Sequence, residues 1–314
     1  MRMRKLLLIV LIILVAMLTE YDTKREHKRV DIALSMCDLD TARSAAICAD
    51  VVRAAERAGL SIEVRDAKHR LSNQIADIIS ILNDKPRYLI ISAVNSIGLR
   101  DIIQKATEQN VYVILLDRFV TDAREGDVFA RIGVDAEWAG QAGAQVFAEL
   151  FSDQPASILE IQGELGSSAT NAFSKGFRDE LCNYPNLQIA GVVRGGISRA
   201  ITQRELLDYI GEHGNQHFDA VFGHGDEQGI GALNAFFSFE EHRRFPIVCI
   251  GGQDDTRRAL LAGALFANVE ISPHFGDAIV DLIQKNDAAE PVERVQMYRG
   301  RVHRADSAGR MTGY

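Results

Sequence analysis

The feature that most constrains the fold of this chain is a short apolar run, Val111–Leu116, that stops abruptly at Asp117 and Arg118. Consecutive apolar residues, several of them β-branched, are typical of a strand buried on both faces, as in a parallel sheet. In open α/β sheets, ligands bind beyond the carboxyl ends of the strands. The run therefore predicts a buried strand that delivers Asp117 and Arg118 to a binding edge. A solvent-exposed ion pair of little energetic weight is the alternative.

Strand-like and helix-like segments alternate along the chain from Val30 onward, which predicts βαβ units and a parallel sheet. The first set of predicted strands is Val30–Cys37, Ser61–Ala67, Tyr88–Val94, Val111–Leu116 and Val128–Val134. The pattern then restarts, with strands Ser157–Gln162, Leu187–Val193, Ala220–Phe222, Ile247–Ile250 and Leu265–Ile271. Two consecutive sets predict an α/β fold of two similar, doubly wound parallel-sheet lobes.

Helices are predicted between these strands from apolar residues at helical spacing. The first, Thr41–Ala58, ends before Gly59, a favourable helix stop. The segment Arg294–Val302 is predicted to be extended, but its pattern assigns it to neither lobe. The other predicted helices are Leu71–Leu82, Leu99–Gln109, Glu137–Phe151, Ser168–Leu181, Thr202–Gly211, Glu227–Phe237, Thr256–Leu261 and His274–Gln284.

The charge balance and the cysteines exclude some functions. The chain has 35 lysines and arginines against 43 acidic residues, a net charge of −8, whereas a nucleic-acid binder needs a basic surface. The cysteines form no C-x-x-C pair, so a zinc site is not expected. We predict four buried free thiols, with a disulfide left open for an oxidising compartment: Cys37, Cys48, Cys182 and Cys249.

The N-terminus indicates export. Basic residues at positions 2, 4 and 5 precede an apolar run at 6–18, the pattern of a secretory signal and too short for a comfortable membrane span. We therefore predict a periplasmic protein with a charged linker at 19–29. Because a clear cleavage site is missing, an uncleaved segment that tethers the protein to the inner membrane stays open.

Polar residues gather where the predicted strands end, and carboxylates, amides and guanidinium groups at one edge can bind the hydroxyls of a small polar molecule. The alternative is that loops in α/β proteins are simply polar. These residues are Asp38, Asp40, Asn95, Ser96, Asp117, Arg118, Gln162, Arg194, His224, Asp226, Gln253, Asp254, Asp255 and Glu270.

Enzyme motifs are weak or missing. The segment Gly223–Gly229 has Gln228 where a dinucleotide fingerprint needs its third glycine, and there is no Walker A loop. A G-x-S-x-G nucleophile elbow is also missing. His224 near Asp226 could form a base with its orienting group, but no nucleophile accompanies them. We therefore predict a protein that is not an enzyme and that uses no cofactor or metal.

Several segments together resemble the periplasmic sugar-binding proteins of ATP-driven (ABC) importers, of the ribose and galactose type. The resemblance runs from about Val30 to the end of the chain and is strongest to the galactofuranose-binding branch. Its segments are Ile91–Gly98, Leu115–Arg118, Gln162–Ser168, Lys175–Phe177, His224–Asp226, Ile230–Ala232, Gly251–Asp254, Ala267–Pro273 and Met311–Tyr314.

The resemblance implies a type I periplasmic-binding-protein fold, with two lobes joined by a three-stranded hinge that crosses near Val134, near Asn268 and near the last strand. It implies residues 1–29 as signal or anchor segment and linker, 30–134 with 268–290 as the N-terminal lobe, and 135–267 with 291–314 as the C-terminal lobe. A monomer would bind one monosaccharide, with a furanose or pentose favoured. It would present that sugar to the inner-membrane permease of an ABC importer.

The resemblance also implies ligand-binding residues. Asp117 and Arg118 would bind sugar hydroxyls from the first lobe, with Asn95 in the adjoining loop. Asp226 and Asp254 would come from the second lobe. Glu270 would sit at the hinge.

The chain departs from the galactofuranose-binding pattern at four positions. Arg43 and Ser44 stand where a Trp-Arg pair is usual, Phe173 replaces an arginine, and Gly225 replaces an asparagine. We predict that Arg43 supplies the lost guanidinium and that Phe173 supplies the lost ring. These exchanges leave open whether the ligand is a sugar.

Two functions from different classes follow. The first is the solute-binding subunit of a sugar importer. The second is a membrane-tethered sensory protein that signals small-molecule occupancy to a receptor, which the missing cleavage site and the exchanged contact residues would favour. A transcription repressor of the same fold is disfavoured because the export segment occupies the place of a DNA-binding domain.

Overall fold

The computed structural model describes residues 30–213, 218–238 and 245–314, and these form two α/β lobes. The predicted signal segment and linker lie outside the described residues. The two-lobed, doubly wound α/β fold predicted from the alternation is confirmed.

The first lobe is built on a six-stranded sheet in the order β11-β5-β4-β3-β1-β2. All of its strand pairs are parallel. Its strands are β1 (Ile32–Met36), β2 (Ile62–Asp66), β3 (Tyr88–Ile91), β4 (Tyr112–Leu116), β5 (Ala130–Val134) and β11 (Val295–Tyr298).

The second lobe repeats this arrangement in the order β12-β10-β9-β8-β6-β7. Its pairs are parallel except that of β12 with β10, which is antiparallel. Its strands are β6 (Ala156–Gln162), β7 (Leu187–Arg194), β8 (Ala220–Gly223), β9 (Ile247–Gly251), β10 (Ala267–Glu270) and β12 (Arg301–His303).

Helices connect the parallel strands and cover both faces of the sheets. The first, α1, ends just before Gly59, whose φ of +72° is the left-handed conformation that glycine adopts at low cost. The helices are α1 (Ala42–Arg57), α2 (Leu71–Asn83), α3 (Arg100–Glu108), α4 (Ala136–Phe151), α5 (Ser168–Leu181), α6 (Arg199–His213), α7 (Asp226–Phe237), α8 (Asp254–Leu261) and α9 (Gly276–Asp287).

Strand β4 shows why a continuous apolar run forms a central strand. Side chains alternate between the two faces of a sheet, so both faces must be covered if every residue is apolar. Ile114 and Leu116 pack into one hydrophobic cluster, whereas Val113 and Leu115 pack into another on the opposite face. The strand predicted for this run is confirmed, and it is buried from Val113 onward, whereas Tyr112 at its start is exposed.

The lobes are connected where the chain crosses between the sheets. The first crossing follows β5, the second follows β10, and the third lies between β11 and β12. Arg299 in the third crossing donates to Asp135 in the first, with 2.8 Å between Nε and Oδ2. Gly300 packs against the second crossing so closely that a Cβ would lie 1.5 Å from the carbonyl oxygen of Glu270.

Sheet membership differs from the predicted lobe boundaries at 268 and 291. Strand β10 belongs to the second sheet, so residues 268–270 lie in the second lobe and the chain crosses after Glu270, close to the crossing predicted near Asn268. Strand β11 belongs to the first sheet, so part of the segment 291–314 lies in the first lobe. The extended segment Arg294–Val302 thus contributes one strand to each lobe.

The cysteines follow the prediction at three positions. Cys37, Cys48 and Cys249 are buried free thiols. The prediction of burial is wrong for Cys182, because this residue caps the end of α5 at the surface. None of the described helices combines the length and the apolar character needed to span a membrane.

Candidate ligand-binding site between the lobes

A cavity of about 160 Å³ lies between the two lobes, at the carboxyl ends of their strands. This is the edge where open α/β sheets bind ligands. The lining includes Asp38, Arg43, His69, Asp117 and Arg118 from the first lobe. From the second lobe it includes Glu164, Thr170, Phe173, His224, Asp226, Gln253 and Tyr314.

Asp117 owes its place in the cavity to a sharp turn at the end of β4. Its φ of +58° is unusual for a residue that is not glycine, and the Arg118 amide donates to the Leu116 carbonyl at 2.6 Å. Such a γ-turn is strained and persists only where the surroundings hold it. Neighbouring β5 approaches closely here, because a Cβ at Gly133 would lie 3.0 Å from the Asp117 Cα atom.

Arg43, in the first turn of α1, donates two hydrogen bonds to the Asp117 carboxylate. Its Nη2 and Nε atoms lie 2.7 Å and 3.2 Å from the two carboxylate oxygens. Burial alone would lower the pKa of Arg43, but the Asp117 carboxylate outweighs it and raises the pKa. A third bond, from Nη1 to the Ile271 carbonyl at 3.1 Å, fixes the guanidinium against the second crossing.

Arg118 reaches across the cleft. Its Nη2 donates to the Val94 carbonyl at 2.7 Å within the first lobe, and its Nη1 lies 2.8 Å from Glu164 of the second lobe. His69 also approaches Glu164, with 3.4 Å between Nδ1 and Oε1. Burial alone would lower the pKa of Arg118, but neighbouring acidic groups, including Glu164, raise it.

Backbone contacts join the rims of the two lobes around the same cavity. The Ser96 amide donates to the Gly166 carbonyl at 2.8 Å, and the Phe119 amide donates to the Ser168 hydroxyl at 2.7 Å. Together with the pairing of Arg118 and Glu164, these bonds hold the lobes in a closed arrangement.

Asp226 opens α7 in the second lobe and is 4% exposed. Its carboxylate accepts from the Gly252 amide at 3.0 Å and from the Gln253 amide at 3.2 Å. Burial outweighs these bonds and raises the pKa of Asp226 to about 6. Glycine is needed at Gly251, where φ is +146° and a Cβ would lie 2.0 Å from an Asp226 oxygen.

His224 lies in the wall of the cavity and is held by a buried carboxylate behind it. Its Nε2 lies 2.9 Å from Glu160, which also pairs with Arg178 at 2.6 Å. Burial alone would raise the pKa of Glu160, but the bonds from His224 and Ser174 and the Arg178 charge lower it to about 2. The His224 ring packs edge-on against Phe173 at 6.0 Å, so this network supports the wall of the cavity.

Comparison with known proteins places the chain in a family. A model of the periplasmic binding protein domain matches residues 32–285. The chain belongs to this family. The resemblance recognised in the sequence is thereby confirmed.

Among curated relatives, the galactofuranose-binding protein YtfQ of Escherichia coli K12 is 23% identical over 259 residues, covering 81% of each chain. The ribose import binding protein of Bacillus subtilis 168 is 24% identical and covers 78% of this chain and 77% of its own.

Solved structures share the fold. The binding protein of an arabinose ABC transporter from Shewanella sp. ANA-3, bound to L-arabinofuranose, has a TM-score of 0.84 at 23% identity. It covers 89% of this chain and 93% of its own. A galactofuranose binding protein has a TM-score of 0.84 at 21% identity and covers 90% and 96%.

The periplasmic-binding-protein fold brings five predicted site residues to the cavity: Arg43, Asp117, Arg118, Phe173 and Asp226. It does not bring the other three to the lining. Asn95 lies against Gly166 at the contact between the lobes. Asp254 pairs with Arg257 at the surface, at 3.0 Å, and the adjacent Gln253 lines the cavity in its place.

Glu270 also lies outside the lining of the cavity. It ends β10 and binds the side chain of His303 at 2.8 Å and the amide of Thr312 at 2.7 Å. These bonds fix the C-terminal segment near the hinge. Roles in ligand binding for Glu270, Asn95 and Asp254 stay predictions.

Other residues of the lining were not predicted from the sequence to bind the ligand. Asp38 and Gln253 were visible as polar strand ends, so a signal existed for them. Glu164 and Tyr314 lie within segments that carried the family resemblance, without a residue-level signal. His69 adopts a left-handed conformation in the turn after β2, and no pattern marks it.

The described residues contain one group that could approach a metal ion, Asp38, Asp40 and His69, with ligand atoms within 4.8 Å of one another. The Asp38 carboxylate already accepts from Thr41 at 2.6 Å and from Ser44 at 3.0 Å. The Asp40 side chain is 74% exposed. We therefore assign no metal to this group.

Proposed function

We propose that this protein is the solute-binding subunit of an ABC-type sugar importer. It binds one monosaccharide, a furanose or pentose, in the cavity between the lobes and presents it to an inner-membrane permease. It acts as a monomer in the periplasm. The observation that carries this proposal is a cavity of about 160 Å³ into which both lobes direct charged and polar side chains.

The residues in the lining favour a neutral, hydroxyl-rich ligand. Both arginines of the cavity are already paired with carboxylates, Arg43 with Asp117 and Arg118 with Glu164. A sugar hydroxyl can donate to such a carboxylate and accept from such a guanidinium, and bonds to charged partners are the stronger ones. A sugar phosphate or sugar acid would instead meet these carboxylates and the buried Asp226.

Closure of the lobes gives the protein its transport function. A ligand shifts an equilibrium between open and closed forms only if it binds one form more tightly. Asp117 on the first lobe and Asp226 on the second can both contact a ligand only when the lobes are closed. The closed surface is what a permease would recognise, as in other hinge-bending binding proteins.

The sugars named for related proteins support a ligand of the size of one monosaccharide. Two of them are named for galactofuranose and for ribose, and one related structure contains L-arabinofuranose. Phe173, 6% exposed and braced by His224, offers an apolar ring to one face of such a sugar.

A thermal-shift screen of refolded protein, free of bound ligand, tests this function against L-arabinose, D-ribose, D-galactose and a sugar phosphate. A ligand at one hundred times its dissociation constant adds about 2.7 kcal/mol of stability. We expect a raised midpoint with a neutral monosaccharide, lost in Arg118→Ala and kept in the exposed control Arg53→Ala. No shift with any monosaccharide, or a shift confined to the phosphate, would contradict the proposal.

A further inference from the structure

The last residue of the sequence, Tyr314, lies in the lining of the cavity. Its backbone carbonyl accepts from the Asp254 amide at 3.3 Å, at the start of α8. Its ring covers Gly252, where a Cβ would lie 3.4 Å from the ring. The side chain therefore reaches the cavity from the second lobe and closes part of its wall.

The phenol of Tyr314 connects the two lobes. Its hydroxyl donates to Asp226 of the second lobe, with 3.2 Å between Oη and Oδ2. It also interacts with the Arg43 guanidinium of the first lobe. A neutral phenol can interact with both groups, because it has one donor and free lone pairs. Burial and the Asp226 carboxylate raise the pKa of Tyr314 well above its usual range, so the phenol stays protonated.

These contacts occupy groups that a ligand would otherwise use. Arg43 directs donors to Asp117 and to the Ile271 and Ser272 carbonyls, and Asp226 accepts from the Gly252 and Gln253 amides. The Tyr314 hydroxyl thus occupies a position between the guanidinium and the carboxylate that a hydroxyl group of a ligand could otherwise occupy. A ligand must fit beside this ring.

We propose that Tyr314 is a specificity-determining residue that bridges Arg43 and Asp226 and limits the closed cavity to the size of one monosaccharide. The inference rests on the proposed function, since it names a size limit for the ligand of the same site. It goes further in predicting that this one side chain, and not the lobes themselves, excludes larger sugars.

Two variants distinguish the effect of the Tyr314 hydroxyl, which forms the bridge, from the effect of the volume of its ring. Tyr314→Phe keeps the ring and removes the hydroxyl that bonds to Asp226 and faces Arg43, whereas Tyr314→Ala removes the ring as well. Tyr184→Phe and Tyr184→Ala are matched controls, because the Tyr184 hydroxyl bonds only to Glu180 among the contacts that the structure describes, outside the cavity. Equal circular dichroism spectra and reversible unfolding establish that each variant is folded.

The size limit is measured by calorimetric titration with L-arabinose, D-galactose and the disaccharide lactose. In wild-type protein we expect binding of a monosaccharide in strong preference to lactose. Tyr314→Ala should reduce that preference by about tenfold or more, which corresponds to about 1.4 kcal/mol. Tyr314→Phe and both Tyr184 variants should keep it. An unchanged preference in Tyr314→Ala would overturn the inference while leaving the proposed function in place.

The bridge is measured without any sugar, by small-angle X-ray scattering. We expect a larger radius of gyration for Tyr314→Phe than for wild type, because the interaction of the hydroxyl with Arg43 of the other lobe is lost. The Tyr184 controls should not change. If neither wild type nor any variant binds a sugar, the proposed function fails, and the scattering experiment alone tests the inference. Identical curves for wild type and Tyr314→Phe would then overturn it. A larger radius of gyration for Tyr314→Phe would support the bridge.

Discussion

Asp226 combines two conflicting properties, since it is an ionisable group in the lining of the cavity and is almost fully buried. Desolvation disfavours the charged form of a carboxyl group, and here it raises the pKa to about 6 in spite of two backbone amide donors. The protein thus keeps a strong hydrogen-bond acceptor in the cavity at the expense of stability. Such perturbed groups in clefts mark functional sites.

This pKa has a measurable consequence for the pH dependence of stability. Because the pKa of Asp226 in the folded protein, about 6, exceeds its ordinary value of 3.8, the folded state binds more protons between these values. The stability contributed by protonated Asp226 is present below about pH 4 and is lost as the pH rises through about 6.

We expect the Asp226→Asn variant to lose this dependence. Urea unfolding from about pH 4 to about pH 7 should show the wild-type free energy of unfolding falling relative to that of the variant, by on the order of 1–3 kcal/mol. Asp277→Asn, which removes an exposed aspartate on α9, serves as the control. Parallel curves for wild type and Asp226→Asn would contradict the account.

Residues at strand ends could be predicted from the sequence, and residues brought in by closure could not. Asp117 and Arg118 follow an apolar run, so the position of the strand fixes theirs. Glu164 reaches the first lobe only because the lobes have closed, and Tyr314 reaches Arg43 for the same reason. Asp254 and Gln253 adjoin each other, and only the start of α8 decides that Gln253 faces the cavity.

At the scale of the elements, the packing of helix α5 against helix α4 positions Phe173. The two helices approach closely because they carry glycines at the contact. A Cβ at Gly140 would lie 2.1 Å from the Phe173 carbonyl oxygen, and one at Gly176 would lie 2.0 Å from the Glu137 carbonyl oxygen. Larger residues would force the helices apart and carry Phe173 with them.

We expect Gly176→Ala to destabilise the protein by about 1–3 kcal/mol, the usual cost of overpacking. It should also weaken sugar binding, since Phe173 lies on the same helix. Gly211→Ala is the matched control: it lies in α6, where no described atom falls within 4 Å of an added Cβ, and alanine should stabilise the helix by about 0.5–1 kcal/mol. Chemical denaturation measures both. Equal stabilities for the two variants would contradict this packing.

Secondary structure was predictable because apolar runs marked the buried strands and apolar residues at helical spacing marked most helices between them. The predicted segment Arg294–Val302 shows the limit of this reasoning. It forms two strands, β11 and β12, in different sheets, with Gly300 between them. Most of its residues are exposed or half-buried at the sheet edges, so no buried pattern marked the break. The lobe boundary predicted at 291 differs from the structure for this reason.

For the whole molecule, Glu164 forms a salt bridge between the lobes that does not depend on a ligand. It pairs with Arg118 at 2.8 Å, and both side chains are mostly buried, which limits screening by solvent and salt. His69 of the first lobe faces the same carboxylate. The closed arrangement is therefore stabilised by charge as well as by the bonds between the rims.

We expect Glu164→Gln to shift the protein without sugar toward the open form, because the charge is lost and the shape is kept. Small-angle scattering should report a larger radius of gyration than in wild type. Glu137→Gln, which removes an exposed pair with Lys175, is the control and should leave the radius unchanged. A radius equal to that of wild type in Glu164→Gln would show that this pair does not hold the lobes together.

The most direct test of the account is calorimetric titration of the sugar found in the screen against one variant from each lobe, Arg43→Ala and Phe173→Ala. The account predicts that each variant loses about tenfold or more in affinity, about 1.4 kcal/mol, because one ligand contacts both lobes of the closed cavity. Near-wild-type affinity in either variant would mean that the ligand is not held between these two side chains, and would contradict the central claim.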